Sequence, residues 1–170
     1  MSDRANRGVA WQRCLEEWNK TYRAASPSLA VVRRTQPLVR VLSRPHRTTK
    51  QFRAVFDGDG PPDFEGFIGG TGVSFDAKDC EGTRWSFGDL DRHQARDLEA
   101  VHLLGHRAFV ALRIEGTGWV LPWSELGKRW WPWYESTTRA APGEASVGVD
   151  DLRVWAWRMP QLGDWLGALR

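Results

Sequence analysis

The chain is poor in cysteine, histidine and lysine, and one long stretch of it carries no acid. Of its 170 residues only Cys14 and Cys80 are cysteines. These isolated thiols have no metal-ligand spacing and allow at most one disulfide. They predict a reduced, intracellular setting. His46, His93, His102 and His106 are scattered and form no zinc pattern. No apolar run is long enough to span a bilayer, and residues 1–7 contain no apolar signal region. The expectation is a cytoplasmic protein with no membrane partner. No Ser/His/Asp or Cys/His arrangement is visible, and no internal repeat. Gly69-Gly70-Thr71-Gly72 lacks the lysine and helix that a phosphate-cradling loop requires.

The missing acids say more than the net charge of +3. Between Glu17 and Asp57 there is no aspartate or glutamate. The same stretch carries Lys20, Arg23, Arg33, Arg34, Arg40, Arg44, Arg47, Lys50 and Arg53, with His46. An uninterrupted single-sign run of this length favours a polyanionic partner over an ordinary solvated surface. Within it, Leu38–Leu42 and Phe52–Phe56 read as strands, and the polar, proline-broken segment 43–50 reads as a protruding loop or arm.

Lysine scarcity directs attention to one place. Four lysines stand against twenty arginines, and one of them is Lys78 in Asp76-Ala77-Lys78. The two cations are not chemically interchangeable. Asp63 opens the strand-like Asp63–Ile68, and Asp76 and Lys78 lie in the strand-like Gly72–Lys78. The glycine-rich segment between them carries hairpin chemistry. Side chains alternate along a strand, so Asp76 and Lys78 share one face and Ala77 takes the other. A tight hairpin brings Asp63 beside them. Two carboxylates and an ammonium on one face suit a hard divalent cation and a phosphate, with the lysine holding or polarising attacking water. The bland alternative is a solvated strand face, but Phe64, Phe67, Ile68, Val73 and Phe75 give these segments the character of core strands.

The remaining pattern completes an α/β domain with a mixed central sheet flanked by helices, a single domain over residues 1–170. Trp11, Leu15, Trp18 and Tyr22 recur at helical spacing within a helix over 8–25, with Gln12 and Glu16 one turn apart beside that face. A second helix is expected from Leu90 to Leu104, with His93-Gln94 in its first turn and Gly105 ending it. Arg107–Ile114 reads as a buried strand and Trp119–Pro122 as another. Ser124 opens a short helix to about Trp131, 137–143 reads as a loop, Ser146 as a helix cap, and Pro160–Leu169 as a last helix. Trp119, Trp123, Trp130, Trp131 and Trp133 read as core or subunit interface, with stacking on exposed bases as the alternative.

Helix, acidic hairpin ending in acid-x-lysine, helix, strand is the order of the PD-(D/E)xK nucleases, with Pro62-Asp63 as the PD. Within that superfamily the chain resembles the RecU Holliday junction resolvases. The resemblance runs through Asn6-Arg7-Gly8, Asn19, Asp63-Phe64-x-Gly66, Phe75-Asp76-Ala77-Lys78, His93-Gln94, Phe109-Val110-x-Leu112, Leu121-Pro122 and Pro160-Gln161-Leu162. It implies a restriction-endonuclease-like fold with a basic stalk over roughly 38–56, and Mg2+ or Mn2+ held by Asp63, Asp76 and the Ala77 carbonyl. It implies Lys78 as the residue that activates water, with Gln12 and Glu16 completing the catalytic set. DNA contacts would come from Arg7, Arg40, Arg44, Arg47, Lys50, Arg53 and Gln94. The implied partners are four-way junction DNA and a second copy in a homodimer, whose two-fold symmetry suits such a substrate. The implied activity is symmetric paired phosphodiester hydrolysis in recombination and repair.

The sequence departs from that family in three places. Gln12 stands where the family has glutamate, Asp76 is one methylene shorter than the family's usual acid, and Pro61 replaces a threonine. Gln12 also favours a competing reading, a non-catalytic junction-binding or branched-DNA-binding protein on the same fold. A nuclease for other branched DNA is the third reading.

Overall fold

The structure is a computed structural model. It describes all residues except 1, 2, 37, 38, 45, 57–59 and 137–144, and the side chains of 3–7 and of Phe56 are also outside the description. The first helix, α1, spans Asp3–Ala24. The strands that follow are β1 (Val31–Arg34), β2 (Val39–Val41), β3 (Ala54–Phe56), β4 (Phe64–Ile68), β5 (Thr71–Cys80) and β6 (Arg84–Ser86). A short 3-10 turn over Phe87–Asp89 leads into α2 (Arg92–Leu103), β7 (Arg107–Ile114), β8 (Thr117–Pro122) and α3 (Trp123–Glu135). The chain ends with β9 (Ser146–Gly148), α4 (Val149–Trp155), β10 (Trp157–Arg158) and α5 (Trp165–Ala168). Among the described residues no helix is long and apolar enough to cross a membrane.

Six strands form the central sheet in the order β1-β4-β5-β7-β8-β10. Among the described residues only the β5–β7 pair is parallel, because α2 carries the chain back across the sheet between them. The sheet is therefore mixed, as the sequence pattern implies. Each face buries its own core. On one face Trp11, Leu15 and Tyr22 of α1 and Trp165 and Leu166 of α5 pack on Phe64, Phe75, Phe109 and Val120. On the other, Ala95 and Leu98 of α2 and Leu126 and Trp130 of α3 pack on Val110, Leu112 and Leu121. Alternation in β5 thus sends Val73 and Phe75 toward α1, and Ser74, Asp76 and Lys78 toward α2.

The β4–β5 hairpin closes tightly. Gly69 and Gly70 both have positive φ (53° and 87°), so the two-residue turn matches the strand twist only because neither carries a Cβ. Gly66 has a different role. A Cβ there would sit 2.0 Å from the Val31 carbonyl oxygen of β1. Gly66→Ala is expected to destabilise the protein by about 3 kcal/mol or more, since rigid backbone cannot yield as a side chain does. A denaturant melt checks this, and an unchanged midpoint would contradict it.

The chain between β1 and β4 leaves the main sheet. Among the described residues β2 and β3 pair only with each other, as Val39↔Phe56, Arg40↔Val55 and Val41↔Ala54. Past the strands, the Leu42 N–H donates to the Arg53 carbonyl (2.7 Å) and the His46 N–H to the Gln51 carbonyl (2.7 Å). Val39, Val41, Leu42, Phe52 and Val55 are exposed. The hairpin is thus a separate two-stranded arm. Leu38, where the sequence places the start of its first strand, lies outside the described residues.

Three local expectations differ from the structure. Ser146 belongs to β9, which pairs with β6 across 62 residues of sequence, and Gly148 occupies the cap position of α4. The last helix is only α5. Gly163 has φ of 91°, and the Asp164 side chain accepts from the Gly167 N–H (2.9 Å), so the helix starts there and not at Pro160. The helix placed over 124–131 runs from Trp123 to Glu135. The segment read as a loop over 137–143 lies outside the described residues.

Candidate active site

β5 is ten residues long and β4 is five, so they part company where β4 begins, at Phe64↔Phe75. Asp63 sits at that fork. Its carboxylate Oδ2 accepts the Ala77 N–H (2.9 Å), replacing the ladder bond that β4 no longer makes. The Asp63 N–H in turn donates to Asp76 Oδ1 (3.3 Å). A strand residue directs its N–H and C=O to the same side, so the Ala77 carbonyl faces the fork that Asp63 occupies.

Asp76 is fully buried. Its Oδ1 accepts from the Gln94 side-chain amide (3.0 Å) as well as from the Asp63 N–H, while Oδ2 is buried with no hydrogen-bond partner. Burial pushes the Asp76 carboxyl up to about 7, opposed by Lys78 and reinforced by Asp63. Gln94 is the hub of the group. It stands in the first turn of α2, where its Oε1 accepts from the Asp91 N–H (3.1 Å), a helix-start bond, and from Lys78 Nζ (2.7 Å). One amide therefore fixes the start of the helix, the lysine and the buried carboxylate together.

The structure brings Asp63, Asp76, Ala77, Lys78 and Gln94 together. Gln12 and Glu16 both bond to Arg34. Gln12 Oε1 accepts from Arg34 Nη2 (2.6 Å), and Glu16 Oε1 from Arg34 Nη1 (3.3 Å). Arg34 ends β1 on the face that α1 covers. The next residue, Thr35, donates its N–H to the Asp63 carbonyl (2.9 Å) and its hydroxyl to the Pro62 carbonyl. In the sequence Arg34 reads only as part of the basic run. Its alternation with the apolar Val32 was the available sign that it points toward α1. Arg40, Arg44, Arg47, Lys50 and Arg53 all lie on the β2–β3 arm and are exposed. The Arg7 side chain lies outside the described residues.

Among the described residues no three His, Cys, Asp or Glu side chains form a metal-binding cluster. The oxygen set on offer is two carboxylates and a backbone carbonyl, which is hard-cation chemistry. The unpartnered, buried Asp76 Oδ2 beside a second carboxylate is the specific observation that fits a divalent ion, because such an oxygen otherwise costs free energy.

A mixed sheet with an acid at the fork of a hairpin, and acid-x-lysine on the next strand, is the PD-(D/E)xK arrangement. The model of the family described as Recombination protein U (RecU) matches residues 6–143, and the chain belongs to that family. Among solved structures, the chain is similar to "Archaeoglobus fulgidus Hjc, a Holliday junction resolvase from an archaeal hyperthermophile". That match has 13% identity, covers 88% of this chain and 97% of that one, and has a TM-score of 0.44. No curated protein matches the sequence.

Proposed function

We propose that the protein is a divalent-metal-dependent endonuclease that resolves Holliday junctions as a homodimer. The observation that carries the reading is the buried Asp76 beside the half-buried Asp63 at the strand fork, tied through Gln94 to Lys78, in a chain of the RecU family. Asp63, Asp76 and the Ala77 carbonyl would hold the ion. Mg2+ or Mn2+ there would offset the paired negative charge and polarise a phosphate oxygen. Lys78, oriented by Gln94, holds its ammonium where it can position attacking water and steady the phosphate. Burial leaves Asp76 Oδ2 free of competing donors. Arg34 binds Gln12 and Glu16, and the next residue, Thr35, binds the Pro62 and Asp63 carbonyls, so Gln12 and Glu16 would steady the end of β1 that leads to Asp63.

The β2–β3 arm supplies the specificity. It is a basic projection that serves as a stalk at the open centre of a four-way junction. A panel of four-way junction, fork, duplex and single strand tests this. The resolvase reading expects cutting of the junction far above the rest, whereas equal cutting of forks would favour a general branched-DNA nuclease.

Gln94→Leu leaves Lys78 and Asp76 without their shared partner. It is expected to lower the rate of cutting by roughly 10–100-fold, as loss of an orienting partner does at a metal site. Single-turnover kinetics on a junction read this directly, and a wild-type rate would remove Gln94 from the site.

A further inference from the structure

A second feature lies beyond the acid pair. Between α3, α4 and the β6–β9 pair is a groove of about 610 Å³, within the range of pockets that hold organic ligands. Its walls include the indoles of Trp133 and Trp155 and the cations Lys128 and Arg129. The Arg129 guanidinium lies 4.6 Å over the Trp155 ring. The Asp151 carboxylate is matched, since it accepts from Arg84 (3.1 Å) and from the Gly148 N–H (2.8 Å). Glu125 alone is shared by Lys128 and Arg129, at 2.7 and 3.1 Å. The groove therefore combines flat apolar surface with cations in excess over acids.

Its place in the fold links it to the acid pair. Phe87 lines the groove, and its carbonyl accepts from Trp130 Nε1 (3.1 Å). Arg92 at the start of α2 lies 5.4 Å over the Tyr134 ring. Gln94, two residues on, holds Asp76 and Lys78. The span 87–94 joins the groove to Gln94, and so to the acid and lysine that Gln94 binds. One wall, α4, lies outside the residues that the RecU model matches.

We propose that this groove holds one nucleotide of an unpaired DNA strand, its base on the indoles of Trp133 and Trp155 and its phosphate at Lys128 and Arg129. The proposal rests on the reading of the protein as a nuclease of branched DNA. Base–indole stacking tolerates any sequence, and the cations read the backbone. A free mononucleotide shares this chemistry, so the test separates the two sources.

Binding of a fluorescein-labelled short oligothymidylate is measured in chelator for wild type, Val154→Glu and Arg129→Gln. Val154 lines the groove and is 83% exposed, so the glutamate adds charge without disturbing the core. Both variants are expected to bind about tenfold more weakly, the effect of losing roughly one stacked or paired nucleotide. Thymidine 5′-monophosphate is expected to compete only at far higher concentration. Wild-type affinity in both variants would overturn the assignment. Thymidine monophosphate binding as tightly as the oligonucleotide would overturn the strand in favour of a free nucleotide. Junction cutting by wild type in magnesium is read separately. Its failure beside a groove-dependent loss of strand binding would remove the nuclease reading and leave the groove standing.

Discussion

Asp76→Asn is expected to abolish junction cutting and, in chelator at pH 8, to raise the melting temperature. The two effects have one cause. In the folded protein burial lifts the Asp76 carboxyl to about 7, far above its ordinary value of 3.8. The folded state therefore keeps a proton that the unfolded chain gives up between about pH 4 and 7. Stability falls as pH rises through that window, and above it the metal-free protein carries the full cost of a buried charge. Asparagine carries no charge and can keep the bonds that Oδ1 accepts from Gln94 and from the Asp63 N–H. The expected gain is about 5 °C at pH 8, shrinking as pH falls and vanishing only near pH 4, where the unfolded chain is protonated as well. Cutting should fall by roughly three orders of magnitude or more, because an ion held by the pair contributes several kcal/mol to the barrier, while junction binding persists. A melting temperature that drops at pH 8 would contradict the account of Asp76 as a strained, buried anion.

Arg44→Gln, Arg47→Gln and Lys50→Gln combined are expected to remove junction selectivity while leaving duplex binding. These cations sit at the far end of the β2–β3 arm, beyond Leu42 and Arg53, and its exposed apolar residues add nothing to the main core. The protein should fold as before. Each lost phosphate contact should reduce the salt dependence of log affinity by about 0.9 where the strand is duplex. Salt titrations on junction and duplex, run side by side, measure both quantities. Selectivity that survives the triple substitution would dissociate the arm from junction recognition.

Much of this was legible because it depends on short-range pattern. The turn at Gly69-Gly70 and the alternation through Val73, Phe75 and Asp76 put the acids and the lysine into one group from local rules alone. Gln94 was expected only as a DNA contact, and the packing of α2 on β5 is what makes it the partner of Asp76 and Lys78. The spacing of Trp11, Leu15 and Tyr22 located α1 and set Gln12 and Glu16 one turn apart. Their partner was not legible. Arg34 reaches them only because β1 packs under α1, a contact between segments 18 to 22 residues apart. Ser146 misled for the same kind of reason. A serine ahead of acids resembles a helix cap, but pairing of β9 with β6 draws it into a strand, and Gly148 begins α4. The tryptophans divided by depth. Trp119, Trp123 and Trp130 are buried in the core on the α2 and α3 face, while Trp133 remains half-buried at the groove. Periodicity within α3 cannot distinguish Trp130 from Trp133, because their burial is set by the α2, β7 and β8 surface that α3 packs on.

The most direct test of the central claim is a synthetic four-way junction labelled on each strand in turn, incubated with the protein in magnesium, in manganese and in chelator. The account predicts paired cuts at symmetric positions in two opposed strands, in either metal and never in chelator. Tight junction binding with no cut in either metal would contradict it and would mark the chain as a junction-binding protein on a nuclease fold.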